Sequence, residues 1–264
     1  MFESIFDLPL LISGPLIVGL LCVFAIGGLA VVRRRVLRRL RIHAQDSEFT
    51  GAMIQCVMVF YGLAVALIAV NVSQTYSDVS KIVSGEASAL NALYRDVTSY
   101  PEPIRTELQR DLRDYTDQVI HIAWPLQRRG KTPTEGFAHM TRFQAALNKF
   151  EPTTEGQKIL HAETLRAYNL LIQARRMRLD AASTNLPTVM WGVVIAGALI
   201  SLTASFFFKV EETRLQGILV TLLAVFIGLV IFMTVALDRP FRGDLGISSQ
   251  PYQLIYDQLM KNNP

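Results

Sequence analysis

Four long stretches without a charged residue dominate the pattern of apolar and polar positions along the chain. They are Leu8 to Val32, Thr50 to Ser77, Ala181 to Phe208 and Leu215 to Leu237. Each is longer than the roughly 20 apolar residues that cross the hydrocarbon core of a bilayer. The sequence therefore predicts an all-α integral membrane protein with four transmembrane helices, at about residues 8–32, 50–72, 186–208 and 215–237.

The second predicted span continues without a break into a region with a helical pattern. From Val72 onward, one seam of positions recurs at alternating spacings of 4 and 3 residues, as in a helix packed within a bundle. The seam consists of Val72, Tyr76, Val79, Val83, Glu86, Leu90, Leu93 and Val97. We therefore expect one continuous helix to run from the second span to about Val97.

Three further helices are predicted before the third span. Their inward stripes are Ile104, Leu108, Leu112, Tyr115, Val119 and Ile122; then Phe137, Met140, Phe143, Leu147 and Phe150; then Leu160, Leu165, Tyr168, Leu171 and Ile172. The last of these helices is expected to begin near Thr153 or Thr154, and Pro187 suits the first turn of the third span. Residues 73–185 are thus predicted to form a helical-bundle soluble domain inserted between the second and third spans, and residues 238–264 form a C-terminal tail.

Basic residues in short loops indicate the orientation of the chain, because they are retained on the cytoplasmic side. Two loops on one side, 33–49 and the loop after the third span, carry eight, namely Arg33, Arg34, Arg35, Arg38, Arg39, Arg41, Lys209 and Arg214. The opposite side carries three, Arg239, Arg242 and Lys261. We therefore expect the large domain and both termini to be extracytoplasmic, in a bacterial inner membrane. Next to a span, the arginine cluster indicates contact with anionic lipid headgroups and not with nucleic acid.

Glu86 is the one acidic residue in the apolar seam, and a buried carboxylate requires a partner. Arg175, Arg176 and Arg178 on the last bundle helix are candidates for a buried charge pair with it. Two interpretations remain open. The pair either fixes the register between two helices, or it forms a charged constriction or sensor site.

A second face of the same helix carries small polar side chains that project within about 80° of one another. We call these residues the hydroxyl face: Ser73, Ser77, Ser80, Ser84, Ser88 and Asn91. Such a face suits close helix packing or the lining of an aqueous pathway for an ion. An idle surface is the third alternative.

Residue patterns for catalysis and metal binding are not evident in the sequence. Cys22 and Cys56 both fall in predicted spans, so a disulfide framework is not expected. The four histidines, His43, His121, His139 and His161, show no metal-ligand spacing, and no phosphate loop or nucleophile elbow occurs. We therefore expect no enzymatic activity, no cofactor and no metal.

Several motifs, in order along the chain, resemble those of the bacterial bestrophin-like domain family of unknown function. They are Glu86-Ala87 with Leu90, Leu93 and Tyr94; Tyr115; Trp124-Pro125; Arg175-Arg176-Met177-Arg178; Leu186-Pro187 with Trp191; and Leu237-Asp238-Arg239-Pro240-Phe241-Arg242-Gly243. The candidate site residues of this post-membrane motif are Asp238, Arg239, Pro240, Phe241 and Gly243, and its run Pro240-Phe241-Arg242-Gly243 echoes the post-membrane Pro-Phe-Gly element of bestrophins. Two features differ from bestrophins. The acidic calcium-binding run that follows this element in animal bestrophins is absent here. Bestrophins hold their large domain in the cytoplasm, opposite to the orientation that the basic loops predict for this chain.

The resemblance implies a homo-oligomeric, bestrophin-like membrane ion channel permeable to small anions, with a pentamer as the implied assembly. The alternative is a non-catalytic membrane scaffold or sensor whose helical bundle mediates protein–protein interaction. Membrane lipid and further copies of the chain are the expected partners.

Overall fold

The computed structural model describes residues 10–36, 44–131, 137–207 and 212–261, and within these ranges the chain is helical and contains no strand. The α-helices are α1 (Leu10–Val31), α2 (Ala44–Val97), α3 (Ile104–Gln118), α4 (Trp124–Arg128), α5 (Phe137–Lys149), α6 (Glu155–Ala181), α7 (Thr188–Ser205), α8 (Thr213–Asp238) and α9 (Gln250–Ile255). Three π-helical turns, Val32–Val36, Val119–Ala123 and Tyr256–Met260, extend α1, join α3 to α4 and extend α9.

Within the described part of the chain, four helices have the length and the apolar composition needed to cross a membrane. These segments are Leu11–Val36, Gly51–Val97, Thr188–Ser205 and Thr213–Asp238. Large apolar side chains such as Leu11 and Phe60 are 89% and 73% exposed, as expected of positions that face lipid. For the described residues, the prediction of a helical chain with four candidate membrane-spanning helices is confirmed. Of the predicted spans and loops, residues 8–9, 37–43 and 208–211 lie outside the described residues, and with them Arg38, Arg39, Arg41 and Lys209.

The second apolar stretch and the predicted seam form a single helix, α2, of 54 residues. At 1.5 Å per residue it is about 80 Å long. Seven of the eight seam residues are buried, and Tyr76 is half-buried. The period of apolar residues therefore predicted both the continuity of the helix and the face that it buries.

The contacts divide the chain into two units, and α2 contributes to both, with the boundary after Thr75. The first unit comprises Met1–Thr75 and Asn185–Asp238. In it α1 packs against α8 and α7, around a core of Ala25, Leu29, Ala198, Leu202, Phe206, Val220, Ala224 and Ile227. Gly197 on α7 leaves room for the ring of Tyr61 on α2: an added Cβ at Gly197 would overlap that ring, and the Tyr61 hydroxyl donates to Val194 O at 3.0 Å.

The second unit comprises Tyr76–Thr184 and Arg239–Pro264. Its core is built from α2, α3, α5 and α6, as the four predicted stripes require. The segment after Asp238, described from the sequence as a tail, also belongs to this unit. Tyr252 and Met260 are both fully buried in its core.

The stripe predicted for the helix after Pro103 is correct up to Val119 and wrong at its last residue. Leu108, Leu112, Tyr115 and Val119 are buried, whereas Ile122 is 44% exposed. The π-helical turn Val119–Ala123 accounts for the difference, because a π turn holds one residue more than an α turn. It rotates Ile122 outward and brings Ala123 and Trp124 into the core instead.

The two remaining bundle helices follow their predicted stripes. Met140, Phe143 and Leu147 are buried in α5; the side chain of Phe137 lies outside what the structure describes. Helix α6 begins with a capping box, in which the Thr154 side chain accepts from Gln157 N at 3.2 Å and the Gln157 side chain accepts from the backbone of Thr154. The predicted start near Thr153 or Thr154 is therefore confirmed.

Candidate functional site

A buried ion pair joins α2 to α6 inside the second unit. Arg178 Nε donates to Glu86 Oε2 at 2.6 Å, and Arg178 Nη2 donates to Glu86 Oε1 at 3.3 Å. Glu86 is completely shielded from solvent and Arg178 is 1% exposed. Two bonds between one guanidinium and one carboxylate fix the mutual rotation of the groups as well as their distance. The pair therefore joins α2 to α6 by a contact of defined distance and orientation.

Two further side chains form hydrogen bonds with the pair. Tyr115 Oη, on α3, donates to Glu86 Oε1 at 2.7 Å. Gln127 Oε1, on α4, accepts from Arg178 Nη1 at 2.8 Å. Both partners are buried, so neither bond competes with water. Four helices thus supply one polar group each to a single network.

Two aromatic rings flank the guanidinium of Arg178. Its central carbon lies 5.6 Å from the ring centre of Trp124 and 5.9 Å from that of Tyr252. Each ring attracts the cation through its π face, an interaction that strengthens in a dry environment. Tyr252 brings α9 into the site, so the segment after the fourth candidate span helps to enclose the charge pair.

The pKa shifts within the network keep Arg178 charged and keep the hydroxyl proton of Tyr115 in place. Burial is the largest single influence and lowers the pKa of Arg178. The charge of Glu86, its hydrogen bond and the neighbouring Tyr252 and Tyr115 together outweigh burial, so the net pKa is raised. Burial, followed by the charge of Glu86, raises the pKa of Tyr115 far above its ordinary value. The same two causes, in the same order, raise the pKa of Tyr252. At neutral pH the guanidinium is therefore charged and Tyr115 keeps the proton that it donates.

The structure distinguishes between the three arginines proposed as partners of Glu86. Arg178 makes the pair, while Arg175 is 7% exposed and lies one helical turn away on the same side of α6. Arg176 points to the exposed side of the helix and is not part of the buried pair. Arg175 and Arg178 are three residues apart and therefore lie on the same, buried face of α6. Arg176 lies on the exposed face and is too far round the helix to reach Glu86.

The hydroxyl face lies mainly on the uncovered side of α2. Ser73, Ser77, Ser84 and Ser88 are exposed, and Ser80 and Asn91 are half-buried. Ser88 Oγ donates to Ser84 O at 2.9 Å, as a serine within a helix commonly does. The Oδ1 atom of Asn91 is closed off from solvent and accepts no hydrogen bond from the residues that the structure describes. Within one chain, this face is therefore largely left for water or for another molecule.

Asp238, the first residue of the post-membrane motif, holds the start of α7 against the end of α8. Its Oδ1 accepts from Leu186 N at 2.6 Å, and its Oδ2 accepts from the indole Nε1 of Trp191 at 3.3 Å. Asp238 is 6% exposed and Leu186 is 7% exposed. The Leu186-Pro187, Trp191 and Asp238 motifs, far apart in the sequence, thus form one contact.

The rest of that motif forms a turn that packs onto the bundle. Arg239 is half-buried and Pro240 is buried, and Ile247 N donates to Pro240 O at 2.7 Å to close the turn. The Phe241 ring meets the Trp124 ring with centroids 5.5 Å apart. Gly243 has φ of 71°, a left-handed conformation that favours glycine.

Side chains of the bundle fix this turn through its carbonyl groups. Trp124 Nε1 donates to Ile247 O at 3.0 Å, and Tyr76 Oη donates to Leu245 O at 2.8 Å. Trp124 therefore contacts the turn on one side and the guanidinium of Arg178 on the other. The turn and the charge pair share this residue.

Sequence reasoning identified both charges but missed two of their neighbours. Gln127 and Tyr252 were assigned no role, although both are buried against Arg178. Gln127 falls on the buried side of the chain only because the π turn adds a residue before it. Its polar residue type does not indicate burial. Tyr252 lies in the segment expected to be a tail, where no period indicated burial.

One group of side chains outside this network could hold a metal ion. Asp111 and Asp114 on α3 and His139 on α5 each offer one ligand atom, and these atoms lie within 4.8 Å of one another. No pattern in the sequence indicated this group, because His139 is far from both aspartates along the chain.

Comparison with known proteins identifies a family. The family model of the bestrophin-like domain matches residues 19–252, which include every helix of the bundle and all four candidate spans in whole or in large part. No curated protein and no solved structure matches the chain. The matched region contains the Glu86–Arg178 network, the hydroxyl face and the post-membrane turn. With most of its length matched, the chain belongs to the bestrophin-like domain family and is a membrane protein with four candidate membrane-spanning helices.

Proposed function

We propose that this chain is the subunit of a homo-oligomeric ion channel of the bacterial inner membrane, permeable to small anions and without enzymatic activity. The observation that carries the proposal is the largely exposed hydroxyl face of α2, on a helix whose seam of apolar residues is buried in the core. Membership of the bestrophin-like family supports the channel class. The large domain is placed on the extracytoplasmic side in this proposal, on the strength of the basic residues in the loops.

Side chains of the kind found on the hydroxyl face suit the passage of an anion. A serine hydroxyl can donate a hydrogen bond to an ion without holding it by a full charge, so that the ion can also leave. Ser77, Ser84 and Ser88 are exposed on one face of α2 at spacings of seven and four residues, which would offer repeated donors along one line. In an oligomer, each subunit would contribute one such line to a shared pathway.

The buried Glu86–Arg178 pair holds α2 in the rotation that exposes the serines of the hydroxyl face. Glu86 lies between Ser84 and Ser88 in sequence but is buried, whereas both serines are exposed. Because the bidentate contact fixes the rotation of α2, it also fixes the direction in which the serines point. In the proposed channel, the pair is a positioning element and does not itself contact the ion.

A scaffold is the second candidate, and the same small side chains favour it, because serines allow two helices to approach closely. The two functions differ in whether water and ions reach the hydroxyl face of the assembled protein. In the scaffold, that face is closed by a second copy or by another protein.

The first experiment measures the mass of the assembled protein and its chloride flux in liposomes. Purified protein in detergent and in lipid nanodiscs is expected to run as a multimer, and liposomes that contain it are expected to release chloride faster than empty liposomes. A monomer in both environments, or flux equal to that of empty liposomes from a correctly folded multimer, would exclude the channel. A multimer without flux would favour the scaffold.

The second experiment tests the hydroxyl face itself. In a background with Cys22 and Cys56 replaced by alanine, Ser84→Cys and Ser88→Cys are treated with a negatively charged methanethiosulfonate reagent. Chloride flux is expected to fall after modification, since the added group obstructs the pathway. Gly85→Cys is the matched control: it lies about 100° from the centre of the hydroxyl face, and an added Cβ there meets nothing within 4 Å. Equal effects at all three positions would show that the hydroxyl face does not line the pathway.

A further inference from the structure

The group of Asp111, Asp114 and His139 brings three metal-ligating side chains together on two helices. Asp111 and Asp114 are three residues apart on α3 and therefore project to the same side. His139 comes from α5, and its Nδ1 lies 3.9 Å from Asp114 Oδ2. One ligand atom from each residue lies within 4.8 Å of the other two. The packing of α3 against α5 forms this group.

Asp111 is the unusual member of the group because it is buried. Its exposure is 1%, and its Oδ1 accepts no hydrogen bond within the described part of the chain. Burial, the largest influence, raises the pKa of its carboxyl group. A buried carboxylate oxygen without a hydrogen-bond donor is costly unless a cation compensates its charge.

The cation that faces the group in the structure is the side chain of Arg142. Its Nε lies 3.5 Å from Asp111 Oδ1, and its Nη2 lies 4.0 Å from Asp114 Oδ2 and 2.6 Å from His139 Nδ1. A guanidinium has only donors, so Nδ1 of His139 presents its lone pair to Arg142. All three side chains thus direct acceptor atoms toward one positive group. Arg142 itself is 58% exposed, so it can leave this position for water at little cost.

We propose that Asp111, Asp114 and His139 form a binding site for a divalent transition-metal cation such as Zn²⁺, and that the ion displaces the guanidinium of Arg142. Two carboxylates and one neutral imidazole are a ligand set that suits such ions. Bonds of about 2.0–2.2 Å bring ligands to roughly 3.3 Å from one another, so the three atoms must draw together. Asp114 is exposed and His139 is half-buried, which leaves both free to adjust around Asp111. Water would complete the coordination on the open side.

Binding of Zn²⁺ to the full chain in detergent, after removal of metal with a chelator, tests the site. We expect one ion per chain by calorimetry and a rise in melting temperature on addition of Zn²⁺. His139→Gln and Asp111→Asn are expected to weaken binding by at least about tenfold, since even partners outside the ligand shell contribute about 10–100-fold. His139→Gln is the safer variant for folding because its side chain is only partly buried. The melting temperature without metal verifies that each variant is folded.

Arg142→Gln separates a metal site from a simple ion-pair cluster. In a metal site it removes a competing charge, so Zn²⁺ affinity should rise by about fivefold or more. In an ion-pair cluster it only removes a stabilising cation, and Zn²⁺ would not restore the loss.

The matched control is His121→Gln, because His121 and Asp117 form an exposed pair at 3.0 Å on the same stretch of chain without a second carboxylate. It should leave Zn²⁺ binding unchanged. The proposal is overturned if wild-type protein binds no Zn²⁺ at the site, if His139→Gln binds it as tightly as wild type, or if Arg142→Gln weakens binding.

Discussion

Arg178 and Glu86 are 92 residues apart in the chain, yet Arg178 Nε lies 2.6 Å from Glu86 Oε2 with both side chains closed off from water. The contact ties the helix that carries the hydroxyl face to the last helix of the bundle. A pair of this kind costs more to break than an exposed one, because the remaining charge stays buried.

Breaking the pair by removal of one charge should destabilise the protein strongly. Glu86→Gln or Arg178→Met is expected to lower the free energy of unfolding by about 3–5 kcal/mol, because each leaves an uncompensated buried charge. Denaturant unfolding in detergent measures the loss. Arg166→Met is the matched control on the same helix: Arg166 pairs with Glu163 at 2.9 Å, but the side chains are 70% and 55% exposed.

The control should cost no more than about 1 kcal/mol, as exposed pairs do. The double variant Glu86→Gln with Arg178→Met should be more stable than the less stable of the two single variants, because it leaves no lone charge. Equal effects of Arg178→Met and Arg166→Met would show that the buried pair is incidental to stability.

Alkaline pH should destabilise the protein through Tyr115. The raised pKa of Tyr115 in the folded protein means that the folded state keeps its proton above pH 10, where the unfolded chain loses it. Its contribution is therefore constant below about pH 10 and is lost as pH rises further, by up to about 1.4 kcal/mol per pH unit. Melting temperatures from pH 8 to pH 11, for wild type and Tyr115→Phe, measure the effect.

Tyr115→Phe should be less stable than wild type at pH 8, since it loses the hydrogen bond to Glu86, and its decline above pH 10 should be shallower. Parallel curves for the two proteins would contradict the assignment. Tyr252, whose pKa is raised well above its ordinary value, adds to the decline in both proteins.

Asp238 should be needed for the contact between the start of α7 and the end of α8. Asp238→Ala leaves the backbone N–H of Leu186 without this acceptor, and we expect a loss of about 1–3 kcal/mol. Asp238→Asn keeps one acceptor oxygen and should lose less. Thermal unfolding in detergent ranks the variants, with Asp257→Ala, an exposed carboxylate of the C-terminal segment, as the control. Equal melting temperatures for Asp238→Ala and Asp257→Ala would show that the contact contributes nothing.

The orientation predicted from the basic loops can be tested with single cysteines in a background without Cys22 and Cys56. Lys131→Cys, at an exposed position of the bundle, should react with a membrane-impermeant maleimide in intact cells. Arg214→Cys, at an exposed position in the first turn of α8, should react only after lysis. The reverse pattern would place the large domain in the cytoplasm. Gly130 is unsuitable because its φ is 71° and an added Cβ would overlap Arg242 Nη2.

Much of the fold could be read from apolar periodicity. The seam from Val72 to Val97 predicted a continuous α2 and the face that it buries, and the helix expected from Thr153 or Thr154 begins there in the structure. Such signals are local: they depend on side chains three or four residues apart, which neighbours in the sequence specify. The apolar period wrongly predicted that Ile122 is buried, because a π turn adds a residue there and no residue type in the sequence indicates such a turn.

The sequence by itself determined four apolar helices, one helix running from the second of them into the bundle, and an acid in its seam that required a basic partner. Only the tertiary structure decided that Arg178 is that partner, that Gln127 and Tyr252 enclose it, and that His139 faces Asp111. The physical reason is that contacts between helices depend on the rotation and height at which they pack. Residues tens of positions apart in the sequence determine this rotation and height together. The apolar period of a single helix therefore cannot predict contacts between helices.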